Sequence, residues 1–411
     1  MRSWDEEMRK KDFTPEEMID FFKNEPMDFA PGEEFRYNNS AYFMLGYIIE
    51  KASDKTYEEY IEETFFELLG MENSFYGHPS QIIKNRAAGY QGRGDEFENA
   101  DFLSMTQPYA AGSLLSTVDD LMKWYNAVMS DKVISKENRQ KAHTSYKLNN
   151  GEPTGYGYGW FLGNIQGSPM IQHGGGINGY LTASLYLPNE DVFVVVFSNC
   201  NSRPPQTAAF KLAALAIDKP FEWEEIEIGK EKLAEYLGVY EMENGETRTV
   251  IVENDSLFYV YPMGNRVKLL PFDTDRFFIK NSFSEFTFNR DENSNVVSIT
   301  GKNTGYRPSQ LRKTDKEAEL KKEIELPEEL LEKYVGKYEL MPDFILTISR
   351  EGNRIFVQPT GQPKEEIFAT ETHRFFSKNV NAELIFRMDE SGNVTGLTLL
   401  QNGEHKAPKI E

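Results

Sequence analysis

Pro31-Gly32-Glu33-Glu34-Phe35-Arg36-Tyr37-Asn38-Asn39-Ser40-Ala41-Tyr42-Phe43-Met44-Leu45-Gly46-Tyr47-Ile48-Ile49-Glu50 reads as a turn, a short polar approach and then a helix. The Pro-Gly pair makes the turn. Over residues 40–51 the apolar positions Tyr42, Leu45, Ile48 and Ile49 recur at helical spacing and predict the inward face. Ahead of the helix, Tyr37 and Asn39 admit two readings. Asn39 could cap the helix with Tyr37 at a core edge, or both could face a ligand. A second stretch, His173-Gly174-Gly175-Gly176-Ile177-Asn178-Gly179-Tyr180, stands directly before a β-rich run. Its glycines would let a substrate backbone lie along a strand whose N–H groups stay available. A lone histidine beside glycines is, by itself, more often structural than catalytic.

Working outward, Thr14-Pro15-Glu16-Glu17 is a capping box with proline at the first helical position, opening a helix to about Lys23. A second box, Thr56 to Glu59, starts a helix expected to bury Tyr60, Ile61, Phe65 and Leu68 and to end at Gly70. Ser116-Thr117 caps a helix over 118–129. Residues 180–187 and 192–198 form a hairpin around Pro188-Asn189-Glu190.

An acidic linker, Phe221-Glu222-Trp223-Glu224-Glu225, closes this part. Beyond it, Leu233, Tyr236, Gly238 and Tyr240 recur 98 residues later as Leu331, Tyr334, Gly336 and Tyr338. The same offset carries Arg276-Phe277-Phe278 onto Arg374-Phe375-Phe376, and Asp291-Glu292 onto Asp389-Glu390. Several blocks in one ungapped register indicate a duplication. Period-2 alternation with Asn, Asp and Gly turns makes each copy an antiparallel, barrel-like or half-barrel module. The expected division is 1–222, then β modules at 229–314 and 327–411, with a helical or open spacer over 315–325. The fold class is thus α+β followed by two all-β modules.

The net charge of −21 opposes binding to nucleic acid or anionic membrane surfaces. The single cysteine, Cys200, excludes an intrachain disulfide and a Cys-based zinc site, and it reads as a buried structural thiol. The apolar run 192–197 is far too short to span a bilayer. The charged start, residues 1–11, carries no signal-peptide pattern.

Taken together, the two opening stretches resemble the second and third signature motifs of the serine β-lactamase and penicillin-binding-protein superfamily. The closer likeness is to its class C-like branch, in which His-Gly-Gly replaces Lys-Thr-Gly. Leu68-Leu69-Gly70-Met71-Glu72-Asn73-Ser74 and Ala110-Ala111-Gly112-Ser113-Leu114-Leu115-Ser116-Thr117-Val118-Asp119-Asp120-Leu121 are similar to two further segments of that family, in the same order. The resemblance covers about residues 1–218, and it makes lipocalin-like C-terminal modules unsurprising.

The resemblance implies roles. Tyr37 would accept and return a proton during acylation, and Asn39 would hydrogen-bond the acyl-side amide. His173 would orient a carboxylate or assist proton transfer. Gly174, Gly175 and Gly176 would line the substrate, with the Gly176 N–H as one oxyanion donor. The family's first motif, Ser-x-x-Lys, is found nowhere here, because no serine has a lysine three positions on. The chain is therefore expected to be an N-terminally truncated member without its nucleophile, inactive alone, whose first domain is not a stable monomer. Were a serine of this chain recruited instead, Ser40 and Ser113 are the candidates.

Expected partners are a small-molecule or peptide substrate, with self-association through an exposed edge at strand 192–197. No cofactor or metal is expected. An extracytoplasmic location is suggested by the resemblance only. The alternative function is a non-catalytic protein that binds a peptide, a cell-wall fragment or an apolar ligand.

Overall fold

The computed structural model describes every residue except 1–5, 79, 94–95, 203, 281, 305–307, 319, 342–343 and 402. The first five residues of the charged start therefore lie outside the described part. The chain divides into two compact units, one of Met1–Phe221 and one of Glu222–Asn303 with Pro308–Glu411.

In the first unit, helix α1 (Pro15–Phe22) opens on the expected capping box. The Glu17 N–H donates to Thr14 Oγ1 at 3.2 Å, and the Thr14 N–H to Glu17 Oε2 at 2.8 Å. Helix α2 (Asn39–Ser53) is capped by Asn38, whose Oδ1 accepts from the Ala41 N–H at 3.2 Å. Asn39 is the first helical residue, so the capping reading falls on its neighbour.

The predicted face of α2 is also corrected. Phe43 and Gly46 are its buried residues, whereas Leu45 and Ile48 are 52% and 54% exposed. The helix docks through its smallest residue. A Cβ on Gly46 would lie 2.3 Å from Ala110 Cβ and 2.6 Å from the Tyr109 ring, so only glycine allows this approach.

The next helical stretch, Tyr57–Ile61, passes through a π-helical turn at Glu62–Phe66 into Glu67–Leu69 and stops at left-handed Gly70. One i→i+5 turn advances the inward face by a residue. The buried set is accordingly Tyr57, Ile61 and Phe66, while Leu68 is exposed and Tyr60 and Phe65 are half-buried. These side chains share a core with Met18, Phe43, Met71, Tyr76 and Tyr109.

Helix α3 (Val118–Met129) starts at the Thr117 cap. Its Asp120 is wholly buried and ties together two of the motif segments. The carboxylate accepts from the Asn73 N–H at 2.8 Å, the Ser74 hydroxyl at 3.0 Å and Lys123 Nζ at 2.8 Å.

Besides two two-stranded pairings, this unit holds a four-stranded antiparallel sheet in the order β1 (Phe161–Ile165), β2 (Ser168–Ile177), β3 (Tyr180–Leu187), β4 (Val192–Ser198). Every residue of β4, the last strand, is half-buried, and Phe193 stacks on Tyr125 of α3 at 4.4 Å. Helix α4 (Gln206–Ala216) buries Ala209, Phe210, Ala213 and Ala214. Cys200 is free and buried.

The second unit holds two all-β modules. Strands β5 to β12 run over Gly238–Glu241, Thr247–Glu253, Ser256–Val260, Arg266–Asp273, Arg276–Phe278, Ser284–Arg290, Val296–Asn303 and Ser309–Thr314, and they close into a barrel. Eight further strands between Gly336 and Pro408 pair in sequence order. Their ends meet at a bridge between Tyr338 and Lys409. Among the described residues, 316–327 form neither helix nor strand, so the spacer is open.

Side chains fill both interiors, with Tyr240, Phe277, Phe288 and Ile299 in one and Tyr338, Phe375, Phe386 and Leu397 in the other. Local contacts recur at the 98-residue offset. Tyr240 donates to the Tyr236 carbonyl at 2.8 Å, and Tyr338 to the Tyr334 carbonyl at 2.7 Å. The turn around Asp291 Oδ1 accepts N–H groups of Asn293 and Asn295 at 2.9 and 2.8 Å. Asp389 accepts those of Ser391 and Asn393 at the same distances.

Candidate functional site

The residues before α2 and the glycine strand β2 meet. The Tyr37 and His173 rings lie 5.7 Å apart, and Tyr37 also stacks on Tyr42 at 5.9 Å. Phe161 packs against both, at 6.0 Å from Tyr37 and 5.4 Å from His173. Two predicted residues thus share one aromatic cluster, with Tyr37 39% exposed at its rim. Asn39 sits on the first turn of α2 and is exposed.

The glycines have a local reason to be glycine. A Cβ on Gly175 would stand 2.7 Å from Thr182 Oγ1, and one on Gly174 3.0 Å from the Thr182 carbonyl. Strand β1 pairs with β2 only as far as Gln172, whereas β3 pairs with it through Ile177. Residues 173–177 therefore have a strand on one side and an open edge on the other, and Gly174, Gly175 and Gly176 are exposed. Such an edge can take an extended ligand by main-chain hydrogen bonds.

His173 has a hydrogen-bond partner that sequence reasoning missed. Its Nδ1 is 2.7 Å from the Gly174 carbonyl, which can only accept, so Nδ1 carries a proton. In the neutral ring Nε2 is then the acceptor, and Tyr156 donates to it at 3.3 Å. The Tyr156 oxygen is in turn 2.6 Å from Tyr42 Oη, so Tyr42 donates to it. The chain of donors runs Tyr42, Tyr156, His173, and Tyr37 lies beside it rather than within it. The sequence signal was Gly155-Tyr156-Gly157-Tyr158-Gly159-Trp160, a strict alternation of glycine and aromatic residues. A Cβ on Gly157 would meet the Ala142 carbonyl at 2.0 Å, so the glycine seats this loop.

Electrostatics does not favour Tyr37 as a base. Burial, and then Tyr42, push its phenol above the ordinary value, and neither influence is a cation. Tyr156 is pushed up more strongly, by burial first and then by its bond with Tyr42. Both phenols are neutral near pH 7 and act here as hydrogen-bond groups.

Of the two candidate serines, Ser113 is 1% exposed and donates to the Met105 carbonyl, which removes it from the groove. Ser40 is half-buried on the first turn of α2. Among the described residues no group of three His, Cys, Asp or Glu is placed to hold a metal, and no helix is long and apolar enough to cross a membrane.

Comparison with known proteins places residues 2–218 on the family model described as Beta-lactamase. Residues 224–318 and 320–407 each match a domain of unknown function, DUF3471. The chain is similar to Penicillin-binding protein 4* of Bacillus subtilis (strain 168), 27% identical over 303 residues, covering 68% of this chain and 67% of that protein. It is also similar to Protein flp of Staphylococcus aureus (strain MW2), 28% identical over 176 residues, 42% of this chain and 34% of that protein. This chain therefore matches about a third of Protein flp's length. Among solved structures, the octameric penicillin-binding protein homologue from Pyrococcus abyssi aligns with TM-score 0.46 and 27% identity over 73% of this chain and 70% of that one. A D-stereospecific amidohydrolase from Streptomyces sp. aligns with TM-score 0.43 and 22% identity over 47% and 59%.

Proposed function

The chain belongs to the β-lactamase family, the penicillin-binding-protein-like serine hydrolases, and from that premise we propose that its groove binds acyl compounds that the 411 residues cannot turn over unaided. The substrate class is a β-lactam, a D-amino-acid peptide or a small ester. The observation that carries this reading is the Tyr37 and His173 pair, 5.7 Å apart, beside the open edge of the glycine strand.

Each residue has a task in it. The edge at Gly174, Gly175 and Gly176 hydrogen-bonds an extended acyl chain, with the Gly176 N–H directed at the carbonyl oxygen. Asn39 bonds the acyl-side amide. His173, with Nε2 held by Tyr156, turns its Nδ1 proton from the Gly174 carbonyl to the ligand's carboxylate. Tyr37 closes the aromatic wall and relays a proton once a nucleophile and a cation are supplied. Neither comes from a Ser-x-x-Lys of this chain, since no serine has a lysine three positions on. A phenol raised by burial is no substitute base at neutral pH. The twin modules, 229–314 and 327–411, are read as a duplicated, side-chain-filled scaffold rather than as ligand carriers.

The test is an NMR titration of the whole chain with D-alanyl-D-alanine and with benzylpenicilloate. Saturable shifts at His173 and at residues 174–176 are expected. His173→Ala should weaken binding at least about fivefold, and Tyr156→Phe by about two- to threefold through loss of one neutral hydrogen bond. Saturation with no shift in this strand would oppose the reading.

Strand β4 also ends its sheet with an apolar run, Val192 to Phe197, and an unpaired edge of this kind recruits a second strand. Self-association through β4 follows as part of the proposal. In sedimentation velocity a dimer fraction should rise with concentration; a monomer at every concentration would remove this element.

A further inference from the structure

A second recess of about 140 Å³ lies in the first unit, lined by residues that play no part in the Tyr37 groove. Its walls are the rings of Phe13, Tyr57, Tyr76 and Tyr109, with the carboxylates of Glu50 and Glu58 and the His78 imidazole at its margin. Tyr57 packs on Tyr109 at 5.1 Å and edge-on to Tyr76 at 6.2 Å. The three tyrosines are each 6% exposed or less.

Most polar groups around the recess are engaged within the protein. Tyr76 donates to the Met105 carbonyl at 3.2 Å, and Thr106 Oγ1 accepts the Phe13 N–H at 3.1 Å. Glu50 Oε1 accepts the Tyr57 N–H at 2.9 Å. The exception is Tyr109. Its hydroxyl is buried beside the Glu50 carboxylate, which acts on it electrostatically, yet it makes no hydrogen bond of normal geometry. A buried hydroxyl left without a full hydrogen bond is costly, and a ligand that satisfies it recovers that cost as affinity.

Two carboxylates beside aromatic faces, with an unsatisfied phenol oxygen among them, suit one kind of guest. We propose that this recess binds a primary ammonium group. The ammonium has three N–H donors and no acceptor, so it can bond the Glu50 carboxylate and the Tyr109 oxygen together. The rings of Tyr57 and Tyr76 would take the remaining charge and the first carbon atoms by cation–π and apolar contact. The volume is close to that of a cavity able to hold benzene, about 150 Å³, so the head group and two or three carbons fit. A free small amine and the terminus of a peptide share this chemistry.

The experiment uses the full chain with ethylammonium, ethanol, tetramethylammonium and glycylglycine amide as probes, read by NMR of the tyrosine rings. Ethylammonium is expected to saturate the signals of Tyr57, Tyr76 and Tyr109 in the millimolar range, and ethanol to leave them unchanged. Glu50→Gln should weaken it about tenfold and Tyr109→Phe about threefold, with near-UV circular dichroism verifying that each variant is folded. Tighter binding of glycylglycine amide would assign the site to a peptide terminus, and tighter ethylammonium to a free amine; either supports the proposal. No saturation by about 100 mM, equal binding of ethanol or tetramethylammonium, or unchanged affinity in a folded Glu50→Gln chain would overturn it.

Discussion

Replacing Asp120 by alanine is expected to lower the unfolding free energy of the first unit by about 3 kcal/mol. The carboxylate is fully buried, and three donors converge on it: the Asn73 N–H, the Ser74 hydroxyl and the Lys123 ammonium. Lys123 is 44% exposed and can turn to water, so its loss counts for little. The Asn73 and Ser74 donors would be left inside, and these dominate the effect. Burial by itself would raise the Asp120 carboxyl. The hydrogen bonds and charge of Lys123, Asn73 and Ser74 outweigh it and hold the group below the ordinary carboxylate value.

A depressed folded pKa sets the sign of the pH dependence. The stabilisation is complete above the unfolded value of about 3.9 and is lost as pH falls through the lower folded value. Denaturation followed by the fluorescence of Trp124 and Trp160 should show a native-minus-variant difference that is constant from about pH 7 to 5 and shrinks below about pH 4. A loss under about 1 kcal/mol at pH 7 would mean that Asp120 does not hold these segments together.

The other large effect concerns the modules. Phe277→Ala and Phe375→Ala should each cost about 3–5 kcal/mol in the module that carries them, because both rings are fully buried. Their surroundings match closely. Phe277 lies 5.2 Å from Tyr236 and 5.3 Å from Phe288, and Phe375 lies 5.4 Å from both Tyr334 and Phe386. The two costs are therefore expected to agree within about 1 kcal/mol. Denaturant unfolding of each single variant checks this, and a difference above about 2 kcal/mol would show that the matching rings do different structural work.

What could be read from residues alone was chiefly local. Capping boxes at Thr14 and Thr56, the Thr117 cap and the 180–198 hairpin depend on neighbours in sequence, and the folded chain has all of them. The class, α+β with two all-β modules, followed from period-2 alternation and the four ordered motifs. Faces and partners were harder. On α2 the pattern favoured Leu45 and Ile48, but the helix docks through Gly46 because Tyr109 and Ala110 come close, a tertiary fact. A single π turn moved burial from Phe65 to Phe66 and left Leu68 in solvent.

The site was legible as residue types and not as a network. Tyr37 and His173 were named together because two motifs suggested it. Tyr156, which donates to His173 from a glycine-rich loop seventeen positions earlier, is marked only by the glycine–aromatic alternation of 155–160, which does not say what it bonds. The family-like segments 68–74 and 110–121 proved to carry architecture, joined through Asp120, so part of what reads as a catalytic signature is a structural tie.

The most direct test of the central claim is covalent labelling of the purified 411-residue chain with a fluorescent penicillin, followed by intact mass measurement and by nitrocefin and p-nitrophenyl-ester hydrolysis. The account predicts an unmodified mass and no turnover above buffer, because no serine of the chain stands in a Ser-x-x-Lys motif and the groove phenols are neutral hydrogen-bond groups. A stoichiometric penicilloyl adduct on any serine, with Ser40 the first to map, would contradict it.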